Sequence, residues 1–159
     1  MAEELLIFNA SPTIVLARAG LLGIVDTAQV CVPHAVADEV LAGPIDDAGS
    51  RAIAAGWGRR ESVPVPDIII EWGLGAGESA VLACAMRFAG SRAVLDDREA
   101  RMCARSLGIP VVGTLGLLAA ARRHGRIGNL QVALDAVRAA GLWIDERVVA
   151  EAVRLADGR

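Results

Sequence analysis

The sequence predicts an α/β fold, a three-layer α/β/α sandwich around a parallel sheet. Three observations carry this. Short, wholly apolar runs recur at 5–8, 30–32, 93–95 and 110–112. Runs without polar alternation suit strands buried on both faces. Stretches of roughly 10–15 residues at helical spacing separate them, the pattern of βαβ units. Finally, 54% of the 159 residues are hydrophobic and 22% charged. That balance excludes disorder and suits a single domain over 1–159.

The elements follow in order. Leu5-Leu6-Ile7-Phe8 is the first strand, and Asn9-Ala10-Ser11-Pro12 ends it. Ser11 reads as an N-cap with Pro12 at the first helical position. That helix stops at Gly20. Val30-Cys31-Val32 is the second strand, and Pro33 opens a helix ended by Gly43-Pro44. Residues 46–55 read as another helix. Ser62-Val63-Pro64-Val65-Pro66 is extended, and its prolines suit a sheet edge. Gly75-Ala76-Gly77 precedes Glu78 and a helix through Phe88. Residues 93–95 form the third strand, Asp97 caps the helix after it, and Gly108 closes that helix. Pro110-Val111-Val112 is the fourth strand. Thr114 caps a helix ending at His124-Gly125, and helices over 129–140 and 145–156 follow. Trp57, Trp72 and Trp143 read as core or interface residues.

Composition removes several functions. Aromatics are 3% and Tyr is absent, so a base-stacking platform is excluded. All 16 basic residues are Arg. Without Lys there is no Walker-type phosphate loop and no Schiff base. The net charge is −3 and the pI about 5.4, so contact with nucleic acid must use local arginines. Mean hydropathy is +0.46, but the charge-free stretch 106–121 is too short and too broken by Gly and Pro to span a membrane. The start Met-Ala-Glu-Glu lacks the basic region of a signal peptide. Cys31, Cys84 and Cys103 have no CxxC spacing and read as reduced, buried thiols. The expected location is the cytoplasm, with no membrane. His34 and His124 have no partner at metal-ligand spacing.

In parallel α/β sheets the ligand crevice lies at the carboxyl ends of the strands. That rule points to Asn9, Ser11, Asp96 and Asp97, with the helix carboxylates Glu39 and Glu78 as candidates to join them. Carboxylates gathered in one crevice repel each other and would hold a hard cation such as Mg²⁺. Each also has a plainer explanation. Asp97 is an N-cap, Glu78 favours a helix dipole, Glu39 fits a solvated face, and Asn9 fits an Asx-turn. Arg98, Arg101 and Arg105 share one helix face. They either contact phosphates or pair with nearby acids. Arg122, Arg123 and Arg126 form a second cluster, with the same two readings.

Five pieces in order resemble a PIN domain: Ile7-Phe8-Asn9-Ala10-Ser11-Pro12, Val32-Pro33 through Glu39-Val40, Leu74-Gly75-Ala76-Gly77-Glu78, Leu95-Asp96-Asp97-Arg98-Glu99-Ala100-Arg101, and 107–116 with Gly113-Thr114-Leu115-Gly116. The resemblance is closest to a prokaryotic branch with an Asn-Ala-Ser-Pro start. It implies a Rossmann-like sheet and a Mg²⁺- or Mn²⁺-dependent ribonuclease, the toxin of a type II toxin–antitoxin pair. Carried over, the acidic positions fall on Asn9, Glu39, Glu78 and Asp97, with Asp96 able to assist, Ser11 supporting the site, and Arg98 and Arg101 seating RNA. The departure is Asn9, where most active PIN nucleases carry Asp. The site loses a charge there, which opens the rival reading of a PIN-like nucleic-acid- or protein-binding module with a decayed metal site. A receiver domain is excluded by the missing Lys. The hydrophobic composition and the resemblance also imply a homodimer, and the toxin role implies a small antitoxin partner.

Overall fold

Leu6, Ile7 and Phe8 are all buried, so the strand they form must be covered on both faces and paired on both edges. The computed structural model, which describes residues 3–158, shows this. Strand β1 (Leu6–Phe8) lies between β2 (Val30–Cys31) and β3 (Arg92–Val94), and β4 (Val111–Val112) pairs outside β3. The order is β2-β1-β3-β4, and every pairing is parallel. Ile7 sets the register, opposite Cys31 on one side and Ala93 on the other.

Parallel neighbours require crossovers, and helices supply them. Among the described residues these are α1 (Ala10–Arg18), α2 (His34–Leu41), α3 (Ala48–Ala54), α4 (Asp67–Ile70), α5 (Ala76–Arg87), α6 (Arg98–Ser106), α7 (Thr114–Arg123), α8 (Leu130–Ala139) and α9 (Glu146–Ala156). They flank the sheet to complete a three-layer α/β/α sandwich. Helix α1 packs on α3, α2 on α5, and α7 on α9. No helix among the described residues is long and apolar enough to cross a membrane.

The chain leaves β1 toward β2 on one side and returns to β3 on the other. This reversal opens a crevice at the carboxyl ends of β1 and β3. Asn9 and Asp96 lie just beyond those ends.

Local details depart from the sequence expectations. Ser11 is not a cap: α1 starts at Ala10 with Asn9 as N-cap, and Ser11 is exposed in the first turn. The Thr13 hydroxyl donates to the Asn9 carbonyl instead (2.8 Å). Pro12 still fits, because the first turn has no intrahelical use for its missing N–H. Thr114 is not a cap either. It is the first residue of α7, after Gly113, and is fully buried.

The segment that covers the free edge of β2 precedes the prolines. Arg59 bridges Cys31, with its N–H on the Val30 carbonyl (2.9 Å) and its carbonyl receiving the Val32 N–H (2.8 Å). Pro64 and Pro66, lacking N–H groups, cannot donate to a ladder. The four-residue helix α4 and two 3₁₀ turns, at Leu22–Ile24 and Thr27–Gln29, were not expected from periodicity. Such short elements show no repeat to read.

All three cysteines are buried free thiols. Burial pushes the Cys103 thiol above its ordinary value. Trp57 packs edge-on against Phe8, ring centroids 5.0 Å apart. Trp143 is 84% exposed and Trp72 is also exposed, so neither is a core residue.

Phe8 fills the centre of the core beneath the crevice. Phe8→Ala should cost about 3–5 kcal/mol, the usual range for a buried aromatic truncated to Ala. Urea denaturation should show this as a lowered midpoint with an unchanged slope.

Candidate functional site

Asn9 follows β1 directly, and its backbone N–H continues the ladder onto the Val94 carbonyl (3.1 Å). Pairing on the β3 side therefore holds its side chain at the crevice, where it is only 3% exposed. The Asn9 Nδ2 donates to Glu78 Oε1 (3.2 Å). The opposite amide orientation would set Oδ1 against a carboxylate oxygen, so this bond decides which way the amide faces. Asn9 Oδ1 then has no donor, and it is the one buried side-chain polar atom without a partner among the described residues. An unmet buried acceptor costs about 1–3 kcal/mol.

Its surroundings show why no protein donor is there. Gly77 sits buried in the first turn of α5. A Cβ on Gly77 would stand 2.5 Å from Glu39 Oε2 and 3.2 Å from Asn9 Oδ1. The Glu39 carboxylate, projecting from α2, and the Asn9 amide oxygen thus share the space that a side chain would fill. A Cβ on Gly75 would stand 2.5 Å from Glu78 Oε2. Both glycines of Gly75-Ala76-Gly77-Glu78 are needed so that two carboxylates can lie close to the start of α5.

Glu39 is an exposed residue, but partial burial of its carboxyl, and then repulsion from Glu78, push it above its ordinary value. The donors here are all oxygen: two carboxylates and one amide. That set fits Mg²⁺ or Mn²⁺, which bind few carboxylates and keep several waters. The positive end of the α5 dipole offsets part of the repulsion, but it cannot satisfy Asn9 Oδ1.

The two aspartates after β3 are engaged elsewhere. Asp96 Oδ1 accepts from the Thr114 N–H (2.8 Å) and Oδ2 from the Thr114 hydroxyl (2.6 Å). Asp96 therefore caps α7 from a neighbouring strand end, the role sequence reasoning gave to Thr114. Asp97 caps α6, with Oδ2 accepting the Ala100 N–H (2.9 Å), and is otherwise exposed. Neither hydrogen-bonds to Asn9, Glu39 or Glu78. Among the described residues, no three His, Cys, Asp or Glu side chains stand together in a group able to hold a metal ion. The structure thus joins Asn9, Glu39 and Glu78 but leaves Asp97 in its cap.

Of the expected substrate contacts, Ser11 and Arg98 are exposed. Arg101 is half-buried and turns inward, its Nη1 donating to the Leu95 carbonyl (2.9 Å). Burial, and then Arg105, lower its affinity for the proton. A Cβ on Gly113 would stand 2.8 Å from Arg101 Nη1 and 3.0 Å from Asp96 Oδ1. Arg101 braces the end of β3 at that point.

Sequence reasoning missed the part played by Gly77, although two glycines around one alanine at a helix start are a visible signal of close approach.

A family model described as PIN domain matches residues 5–158. No curated protein and no solved structure matches the chain.

Gly77→Ala should separate site from fold. The colliding Glu39 oxygen ends a flexible side chain and can swing away, while the buried Asn9 amide, 3.2 Å from the new Cβ, must give by a few tenths of an ångström. Thermal unfolding in chelator should show the fold retained, with stability changed by no more than about 1 kcal/mol. Mn²⁺ titration should show at least about a tenfold loss of affinity, equivalent to about 1.4 kcal/mol.

Proposed function

This chain belongs to the PIN-domain family, and from that membership and the oxygen cluster at Asn9 we propose that it is a divalent-metal-dependent RNA endonuclease, the toxin of a type II toxin–antitoxin pair. PIN domains are nuclease-type hydrolases. The observation that carries the metal-dependent reading is the unpartnered Asn9 Oδ1, buried beside the Glu39 and Glu78 carboxylates. The toxin role and the antitoxin partner rest on the resemblance.

Glu39, Glu78 and Asn9 Oδ1 would hold the cation. When bound, a divalent ion acidifies water and neutralises charge on a phosphate oxygen. The Asn9 amide does two things at once. Its Nδ2 fixes one oxygen of Glu78, and its Oδ1 faces the site. Arg98, exposed at the first position of α6, seats the RNA backbone beside the crevice, and Ser11 lines its rim. Arg101 holds the end of β3 in place rather than reaching out to substrate. Asp97 caps α6 through Oδ2 alone, so only its Oδ1 would be free to face the cation. Asp96 would have to leave both Thr114 bonds.

One observation favours the rival reading of a binding module. Asp96 is satisfied within the fold through both oxygens and Asp97 is tied to its cap through one, and Asn9 brings no charge.

Calorimetric Mn²⁺ titration beside an RNA cleavage assay decides between them. Asn9→Asp adds a carboxylate where a ligand is already shaped. A net gain of about 1–2 kcal/mol, after desolvation and repulsion, is about tenfold in metal affinity. Cleavage should rise with it, and Glu78→Gln should abolish both. If neither variant changes either measurement, the crevice is not a metal site and the binding module stands.

Exposed apolar side chains, including Ile45 (89%) and Trp143 (84%), support a homodimer. Light scattering at micromolar concentration should give twice the chain mass, and a strict monomer would exclude it.

A further inference from the structure

We infer that the turn closing α7 is a second contact for single-stranded RNA, an anchor for its phosphate backbone outside the crevice. The inference rests on the RNA reading above.

Arg122, Arg123 and Arg126 fall within five residues, and all are exposed. None of the ion pairs formed among the described residues uses them. Other arginines do find carboxylates: Arg18 with Asp47 at 2.7 Å, Arg92 with Glu4 at 2.8 Å, Arg138 with Glu146 at 2.9 Å. In a chain of net charge −3, three neighbouring cations thus stand outside every ion pair formed among the described residues.

The backbone beneath them is fixed. The Arg126 N–H donates to the Ala121 carbonyl (2.8 Å) and the Gly125 N–H to the Arg122 carbonyl (3.1 Å). Gly125 sits at φ +71°, the left-handed conformation that ends a helix this way. The helix dipole explains part of the cluster, since cations favour a C-terminus by about 0.3–1 kcal/mol. It does not explain Arg126, which lies past the end of α7, or why none of the three joins an ion pair among the described residues.

The chemistry of the patch selects the partner. Planar guanidinium forks match phosphate oxygens. No large hydrophobic side chain is exposed within the turn itself, so guanidinium groups are what it offers a partner. Helix α7 begins at Thr114, which is bonded to Asp96 beside the crevice, and its ten residues rise about 15 Å packed against α8 and α9, so the patch is a contact separate from the crevice, at the far end of that helix.

The test is binding of a fluorescein-labelled single strand of about 20 nucleotides, followed by anisotropy in chelator across a salt series from about 50 to 200 mM. Arg122→Gln, Arg123→Gln and Arg126→Gln together should weaken binding at least about tenfold at the low-salt end. Each lost phosphate contact on a single strand flattens the slope of log affinity against log salt by about 0.7, so the slope should fall by about 2. A charge-matched control, Arg51→Gln, Arg87→Gln and Arg147→Gln, should change affinity less than about twofold, and the triple Arg→Lys variant of the patch should keep the wild-type slope. Equal losses in patch and control variants, or an unchanged slope in the Gln variant, would overturn the anchor. So would poly-glutamate competing as strongly as unlabelled RNA, which would mark an acidic-protein site. Because binding is read without metal, failure of the protein to cleave RNA in Mn²⁺ would refute the nuclease and leave this result standing.

Discussion

The double-sided burial of Leu6-Ile7-Phe8 is the constraint on which the rest of the structure depends. A strand with no polar face cannot border water, so it must sit inside a sheet with helices on both sides. Parallel pairing on both edges then sends the chain one way from β1 and back the other, and the reversal opens the crevice. Asn9 is the first residue past that strand. Its depth in the fold follows from its position, not from its own polarity.

At the crevice, steric room and electrostatics oppose each other. Two carboxylates and an amide oxygen gather where repulsion should spread them. Gly75 and Gly77 make the gathering possible by removing two side chains from the start of α5. The cost appears as a Glu39 carboxyl that holds its proton more tightly than usual and as a buried acceptor with no donor. Nothing in the packing of the core requires such an arrangement. A cation bound as proposed above would relieve both strains together.

The two aspartates after β3 show how one motif divides between structure and chemistry. Neighbours at a strand end point apart, so Asp96 and Asp97 serve different helices. Asp96 ties the end of β3 to the start of α7 through both its oxygens, and Arg101 braces the same junction from α6. These bonds keep the end of β3 rigid beside the crevice. They also remove Asp96 as a free anion, so the negative charge at Asn9 comes from Glu39 and Glu78.

The sequence by itself determined the fold class, the four strands, the cap at Asp97, and the candidacy of Asn9, Glu39 and Glu78. Each of these rests on local physics: apolar runs, a carboxylate ahead of a helix, and the rule that crevices lie beyond strand ends. Only the tertiary structure decided which candidates meet. Glu39 and Glu78 lie 39 residues apart in sequence and converge because α2 packs on α5, a contact no local pattern encodes. The same holds for Asp96 and Thr114, 18 residues apart. From sequence each looked like a cap for its own helix or a spare ligand, and in space one satisfies the other. Caps are legible because their partners are three residues away, whereas a crevice depends on packing between elements, which sequence spacing does not contain.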